Sequence, residues 1–145
     1  MLRKIITALT IITLTSSCAS KLNQSEGSSK KELKRSEQIV RFDFDSFELT
    51  NKSQRKIKDK YLKIINQAPF KKIIIEGHAD ERGTHDYNYN LGLLRASEVK
   101  YELMDHGLDG DKIKVVSYGE TMPISTKSNE KAWKKNRRAE IIIKR

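Results

Sequence analysis

Between Ile39 and Arg145 the spacing of apolar residues switches repeatedly between every second position and every third or fourth, and this restricts the fold more than any other feature. Val40, Phe42 and Phe44 alternate with Arg41, Asp43 and Asp45, the period of a half-buried strand ending near Asp45. Thr50 is placed to cap a helix in which Ile57, Tyr61, Leu62, Ile64, Ile65 and Ala68 recur at three- and four-residue intervals before Pro69 closes it. Within Lys72 to Gly77, Ile73-Ile74-Ile75 is a continuous apolar run suited to a strand covered on both faces. A second helix is expected to begin near Asn88 to Asn90, with a stripe of Leu93, Ala96, Val99 and Leu103 and with Gly107 to end it. Ile113 to Tyr118 reads as a third strand, Gly119 to Asn129 as a loop around Pro123, Lys131 to Asn136 as a short helix, and Ala139 to Lys144 as the last strand. Each helix must lay its stripe on a sheet face, so this order predicts an α/β (α+β) two-layer sandwich, a mixed four-stranded sheet with two main helices. A chain of 145 residues has room for one modest core and none for a second catalytic domain.

The amino-terminal residues have a different character. Arg3 and Lys4 precede an uncharged, mostly apolar or threonine stretch from Ile5 to Thr15, then Ser16, Ser17 and Cys18, the layout of an export signal. About ten apolar residues are half of the roughly 20 that a spanning helix needs, so a permanent transmembrane helix is not expected. Small residues ending at the chain's single cysteine resemble the signal of bacterial lipoproteins. The resemblance implies cleavage after residue 17, acylation of Cys18 and, with Ala19 following it, sorting to the outer membrane. Ala19 to Ser36 has only Leu22 and Leu33 as large apolar residues, too little to offset chain ordering. The expected division is a signal over 1–17, a lipidated terminus and tether over 18–36 reaching roughly 25 Å, and a folded domain over 37–145. One cysteine excludes an internal disulfide and any multi-thiolate metal site.

The densest polar cluster, Glu76-Gly77-His78-Ala79-Asp80-Glu81-Arg82-Gly83-Thr84 and then His85, Asp86, Tyr87 and Asn88, falls between the second strand and the second helix, where sheets present function. Three readings compete for it. His78, Asp80, His85 and Asp86 are metal-ligating types, but no fixed helical spacing gathers them. A hydrolase needs a nucleophile with a base and an orienter, and no nucleophile elbow or thiol motif is present. Recognition of a zwitterion needs a carboxylate for its ammonium and a guanidinium for its carboxylate, which Asp80 and Arg95 can supply. Arg95 lies beside the predicted apolar stripe, so a solvated or cap-bonded arginine is the alternative there. His78 is expected to pack and hydrogen-bond within the loop, Gly77, Gly83 and Gly92 to allow turns or close packing, and Tyr118 and Trp133 to lie in the core or at a rim.

The run Gly77-His78-Ala79-Asp80-Glu81-Arg82-Gly83-Thr84, with Tyr87-Asn88, Leu91-Gly92, Arg95-Ala96, Val-Val-Ser-Tyr-Gly-Glu from Val115 to Glu120, Pro123 and Asn136-Arg137-Arg138-Ala139, resembles the OmpA-like peptidoglycan-binding domain, and in particular the peptidoglycan-associated lipoproteins of Gram-negative bacteria. The likeness covers about Ile39 to Arg145. It implies an OmpA-like fold without cofactor or metal. It also implies that Asp80 holds the ammonium, and Arg95 the carboxylate, of meso-diaminopimelate in the peptidoglycan stem peptide. By the same likeness Asp45, Ser46, Phe47, Asn88 and Leu91 line the groove, with Arg138 a weaker member. Partners implied by it are peptidoglycan, the outer membrane through the lipid, and the TolB-like periplasmic propeller protein and other Tol components, the propeller competing with the wall for an overlapping surface.

The expected function is a non-enzymatic link between outer membrane and wall. Alanine at Asp80 or Arg95 should then abolish wall retention with folding intact. The net charge of +10 supports a different reading, a surface for nucleic acid or anionic membrane. Many of the charges sit in the tether (Lys30-Lys31, Lys34-Arg35) or on short solvated faces (Lys134-Lys135), and no nucleic-acid motif accompanies them. A wall-turnover enzyme is a third option, which the missing nucleophile disfavours.

Overall fold

The computed structural model describes residues 38–145. The expected signal over 1–17, Cys18 and the tether over 18–36 lie outside the described residues. Strand β1 (Ile39–Arg41) is shorter than the alternation predicts. Val40 and Phe42 are buried, but Phe44 is 58% exposed. The strand stops because Asp45 takes a positive φ of 53° and the carbonyls of Asp43 and Ser46 turn to the side chain of Arg95 instead of a sheet partner.

Thr50 caps the first helical stretch as predicted, its Oγ1 accepting from the Ser53 N–H at 3.2 Å. The stretch is not one regular helix: α1 (Asn51–Lys56) runs through a π-helical turn (Ile57–Tyr61) into α2 (Leu62–Asn66). In that turn the Leu62 N–H reaches back to the Ile57 carbonyl, and the wider turn keeps Ile57, Tyr61, Ile64 and Ile65 on the buried side. The Tyr61 hydroxyl and the Lys56 ammonium both donate to the Ile39 carbonyl, at 2.8 and 2.6 Å, and so tie β1 to this stretch.

Strand β2 (Lys72–His78) pairs parallel with β3 (Ile113–Gly119) and antiparallel with β4 (Arg138–Lys144), which also pairs antiparallel with β1. The order β1-β4-β2-β3 is the mixed four-stranded sheet of the sequence reading. A parallel pair requires a crossover, and α3 (His85–Asp105) supplies it, packed over β2 and β3. Ile73, Ile75 and Ile141 meet Ile57, Ile65, Val99 and Leu103 on this side of the sheet. Burial of each such side chain contributes about 1.5–3 kcal/mol. The other face is covered less completely than the triple isoleucine suggests, since Ile74 is only half-buried.

The second helix begins at His85, three residues before the expected range, because Thr84 caps it by accepting from the Tyr87 N–H and Asp86 places an acid in the first turn. Gly107 ends it at φ 88°, with the Leu108 N–H bonding back to the Leu103 carbonyl. The short helix is α4 (Glu130–Asn136), capped by Asn129. The Asn136 side chain accepts from the Ile124 and Ser125 N–H groups and donates to the Ser125 carbonyl, pinning the loop that leaves β3. Among the described residues no helix is long and apolar enough to cross a membrane.

Candidate functional site

Two glycines set the site's geometry. A Cβ on Gly77 would fall 1.8 Å from the Gly92 carbonyl oxygen, so α3 crosses β2 closer than any side chain permits. That approach carries Ala79 and Asp80, just past the end of β2, over the first turns of α3. A pocket of about 370 Å³ opens there, lined by Phe44 and Asp45 from the β1–α1 loop, Asp80, Arg82 and Gly83 from the β2–α3 loop, Tyr87, Asn88, Leu91 and Arg95 from α3, and Arg137.

Arg95 is fully buried, in the middle of the helix stripe and not beside it. The stripe runs through Asn88, Leu91, Gly92, Arg95, Ala96, Val99 and Leu103, with Leu93 displaced to its margin. The Arg95 guanidinium donates from Nε to the Ser46 carbonyl at 2.8 Å, from Nη1 to the His78 carbonyl at 2.9 Å and from Nη2 to the Asp43 carbonyl at 3.1 Å. Three of its five N–H groups therefore hold the β1–α1 loop and the end of β2 together. Burial, with Arg137 nearby, pulls its pKa down to about 10, which leaves it cationic at neutral pH. Arginine at 95 is thus structural, and it also lies on the pocket wall. An alanine there removes the donors of three carbonyls, so the expectation of intact folding does not extend to Arg95→Ala.

Asp80 is 4% exposed and its carboxylate is crowded with donors. Oδ1 accepts from the Arg82 backbone N–H at 3.1 Å and from Arg82 Nε at 3.0 Å, while Oδ2 accepts from Arg82 Nη2 at 2.8 Å and Arg137 Nη1 at 3.1 Å. Burial pushes this carboxyl upward, but the hydrogen bonds from Arg82 and Arg137 outweigh it and hold it below the usual range. The Arg82 guanidinium is sandwiched 4.0 Å from the Phe44 ring and 4.1 Å from the Trp133 ring. Arg137 is braced by the Phe42 carbonyl at 3.3 Å and by Glu130 at 2.7 Å. Across the mouth the Tyr87 hydroxyl donates to Asp45.

Asp80, Arg95, Asp45, Asn88 and Leu91 are brought together on one pocket wall or another, and Ser46 lends its carbonyl to Arg95. Phe47 is 40% exposed and does not line the pocket. Arg138 does not line it either. Successive strand residues point to opposite faces, so Arg138 turns to the back of the sheet, where Nε donates to Glu140 at 2.7 Å and Nη2 to the Met122 carbonyl at 3.1 Å. Arg137, its neighbour, takes the pocket side. Arg82, Tyr87 and Phe44 were not singled out from sequence. The loss of β alternation at a positive-φ Asp45 is what frees Phe44, and no local pattern signals it. His78 is buried at the end of β2 with its ring stacked on Tyr118, 5.6 Å between centroids, while His85 pairs with Glu120 at 2.9 Å outside the pocket. Burial raises the Glu120 carboxyl, yet its bond to His85 leaves it lower overall, and the same bond raises the imidazole. Among the described residues no group of three His, Cys, Asp or Glu is arranged for a metal.

The OmpA family pattern matches residues 41–137, a span that includes every residue lining the pocket. The chain belongs to the OmpA family. Within it the likeness is to the peptidoglycan-associated lipoproteins, the group to which the sequence motifs pointed. That of Haemophilus influenzae is 40% identical over 113 residues, covering 78% of this chain and 73% of its relative. That of Buchnera aphidicola subsp. Baizongia pistaciae is 35% identical over 96% of this chain and 95% of its own. The crystal structure of the peptidoglycan-associated lipoprotein from Burkholderia pseudomallei superposes with a TM-score of 0.66 at 35% identity, over 74% of this chain and 90% of that one. The α/β fold is therefore the OmpA-like fold.

Proposed function

We propose that this protein is an outer-membrane lipoprotein whose periplasmic domain binds peptidoglycan noncovalently, Asp80 holding the ammonium and Arg95 the carboxylate of meso-diaminopimelate. The observation that carries this reading is the pair itself: a carboxylate 4% exposed and a guanidinium 0% exposed on the walls of one pocket, in a family whose relatives are named for their association with the wall. A zwitterionic amino-acid centre needs both charges at one place, and a guanidinium adds direction that an ammonium lacks. No bond is made or broken in this role.

The division into signal (1–17), tether (18–36) and domain (37–145) belongs to the same proposal, with Cys18 acylated. It is supported by the signal-like layout before Cys18 and by a relative named a lipoprotein that aligns over 96% of the chain. About 0.8 kcal/mol per buried methylene makes a multi-chain anchor stable. The anchor and the domain together would link outer membrane to wall within the Tol system during division, with the TolB-like propeller as competitor.

Retention on purified sacculi tests the reading, with Asp80→Asn and Arg95→Lys as variants that keep size or charge. Both should be lost from the pellet while the parent protein is retained. If both variants stay bound, the site is wrong; if sacculi dissolve, the role is enzymatic. Mass spectrometry of the native amino terminus tests Cys18, and a mass without acyl chains removes the anchor.

A further inference from the structure

Asp80 is already fully occupied. A carboxylate offers about four lone-pair positions, and four donors fill them here, three of which come from Arg82. Asp80 lies on the pocket wall at 4% exposure, so a ligand's ammonium bonds to it only when one of these donors gives way. We infer that Arg82 is an exchangeable counter-ion: its guanidinium holds the place of the ligand's ammonium on Asp80, and binding swaps this internal ion pair for the ligand's own. The inference rests on the wall-binding reading above and names the residue that a ligand must displace at that site.

Of the two arginines on Asp80, only Arg82 is free to leave. Arg137 is 4% exposed and anchored at Phe42 and Glu130, whereas the Arg82 side chain is 32% exposed and is held laterally by two ring faces. One of those rings, Phe44, is itself 58% exposed. Glu130 Oε2 lies 3.9 Å from Arg82 Nη2 and gives the released guanidinium another acceptor. The exchange therefore leaves no charge unpaired. Its consequence is a threshold that every ligand meets: a lone amine only replaces one cation on Asp80 by another, whereas an amine with a neighbouring carboxylate also gains Arg95, so Arg82 weakens both and Arg95 tells them apart. A zwitterionic centre can displace Arg82, and a simple ammonium gains little by doing so.

The chain's single tryptophan reports the exchange, because Trp133 stacks on Arg82 without lining the pocket. The experiment titrates the full-length protein with a soluble muropeptide carrying meso-diaminopimelate and with its lysine counterpart, following heat and Trp133 emission together. In the parent, emission should change in step with binding of the diaminopimelate peptide. In Arg82→Gln the emission should be silent, affinity should rise on the order of fivefold, and the lysine peptide should gain by a similar factor. Should Arg82→Gln fail a circular-dichroism check, Arg82→Lys, which keeps the charge and loses the fork, should tighten binding about twofold. A parent that binds with no emission change, or an Arg82 variant that binds no tighter, overturns the exchange while leaving the wall-binding reading in place. Absence of any heat with the parent overturns both.

Discussion

The two ends of the β2–β4 ladder are built from opposite materials. At the end where Lys72 meets Lys144, Ile73, Ile75 and Ile141 pack with Leu103, Ile65 and Ile113 in a wholly apolar core. At the end where His78 meets Arg138, the same strands are flanked by Asp80, Arg95, Arg137 and Glu140, all buried. Apolar burial is non-directional, so the first end asks only for volume and shape. Each buried ion at the second end costs several kcal/mol in lost hydration and is offset only by well-placed hydrogen bonds. The first end stabilises the domain; the second holds charges at fixed positions because the first is stable enough to carry them.

The largest expected effect lies at the junction of the two ends. Gly77→Ala forces a Cβ into the Gly92 carbonyl, and a loss above about 4 kcal/mol, seen as a collapse of the thermal transition, is expected. A melting curve like the parent's would mean that the close approach of α3 and β2 does not hold the site. Truncation within each end comes next. Ile75→Ala should cost about 2–5 kcal/mol and Arg95→Ala about 3–5 kcal/mol, measured by urea denaturation.

Conservative exchanges separate the ends more sharply than truncations. Ile75→Val should cost about 1 kcal/mol and leave sacculus retention unchanged, while Arg95→Lys should abolish retention because a lysine cannot serve three carbonyls and a ligand together. Equal retention in both variants would erase the distinction. Acid is a gentler probe. The Asp80 carboxyl is held below its ordinary value, so between its folded value and about pH 3.9 the unfolded chain binds more protons and stability falls as pH falls. Asp80→Asn should flatten the stability curve below about pH 4, and an unchanged acid limb would show that Asp80 is not the group titrating. Smallest is the exposed His85–Glu120 pair, whose imidazole is raised first by the Glu120 hydrogen bond. Its contribution is full below pH 6.5 and fades as pH rises through the folded value, so His85→Gln should remove only a shallow slope from melting points taken between pH 6 and 8.

Much of this architecture was legible without coordinates. The alternation through Val40 and Phe42, the triple isoleucine, the stripe through Ala96, Val99 and Leu103, and the capping Thr50 all express periods local to one element. Residue type and family likeness single out Asp80 and Arg95, and the fold puts both on the walls of one pocket. Their partners were not. Arg137 and Arg138 are adjacent in sequence, and a one-residue step decides which faces the pocket and which faces Glu140. Arg95 sits at a stripe position that apolar spacing alone assigns to no charged residue, because its acceptors are carbonyls of the β1–α1 loop and the end of β2, 17 to 52 residues away.

The sequence by itself determined the order of elements, most of the apolar residues each one buries and the chemical types gathered in the loop after β2, because these depend on repeats of two and of three to four residues. The tertiary structure decided which arginine meets which carboxylate. That choice follows from how near α3 comes to β2 at Gly77 and Gly92, a distance between elements to which no local period refers.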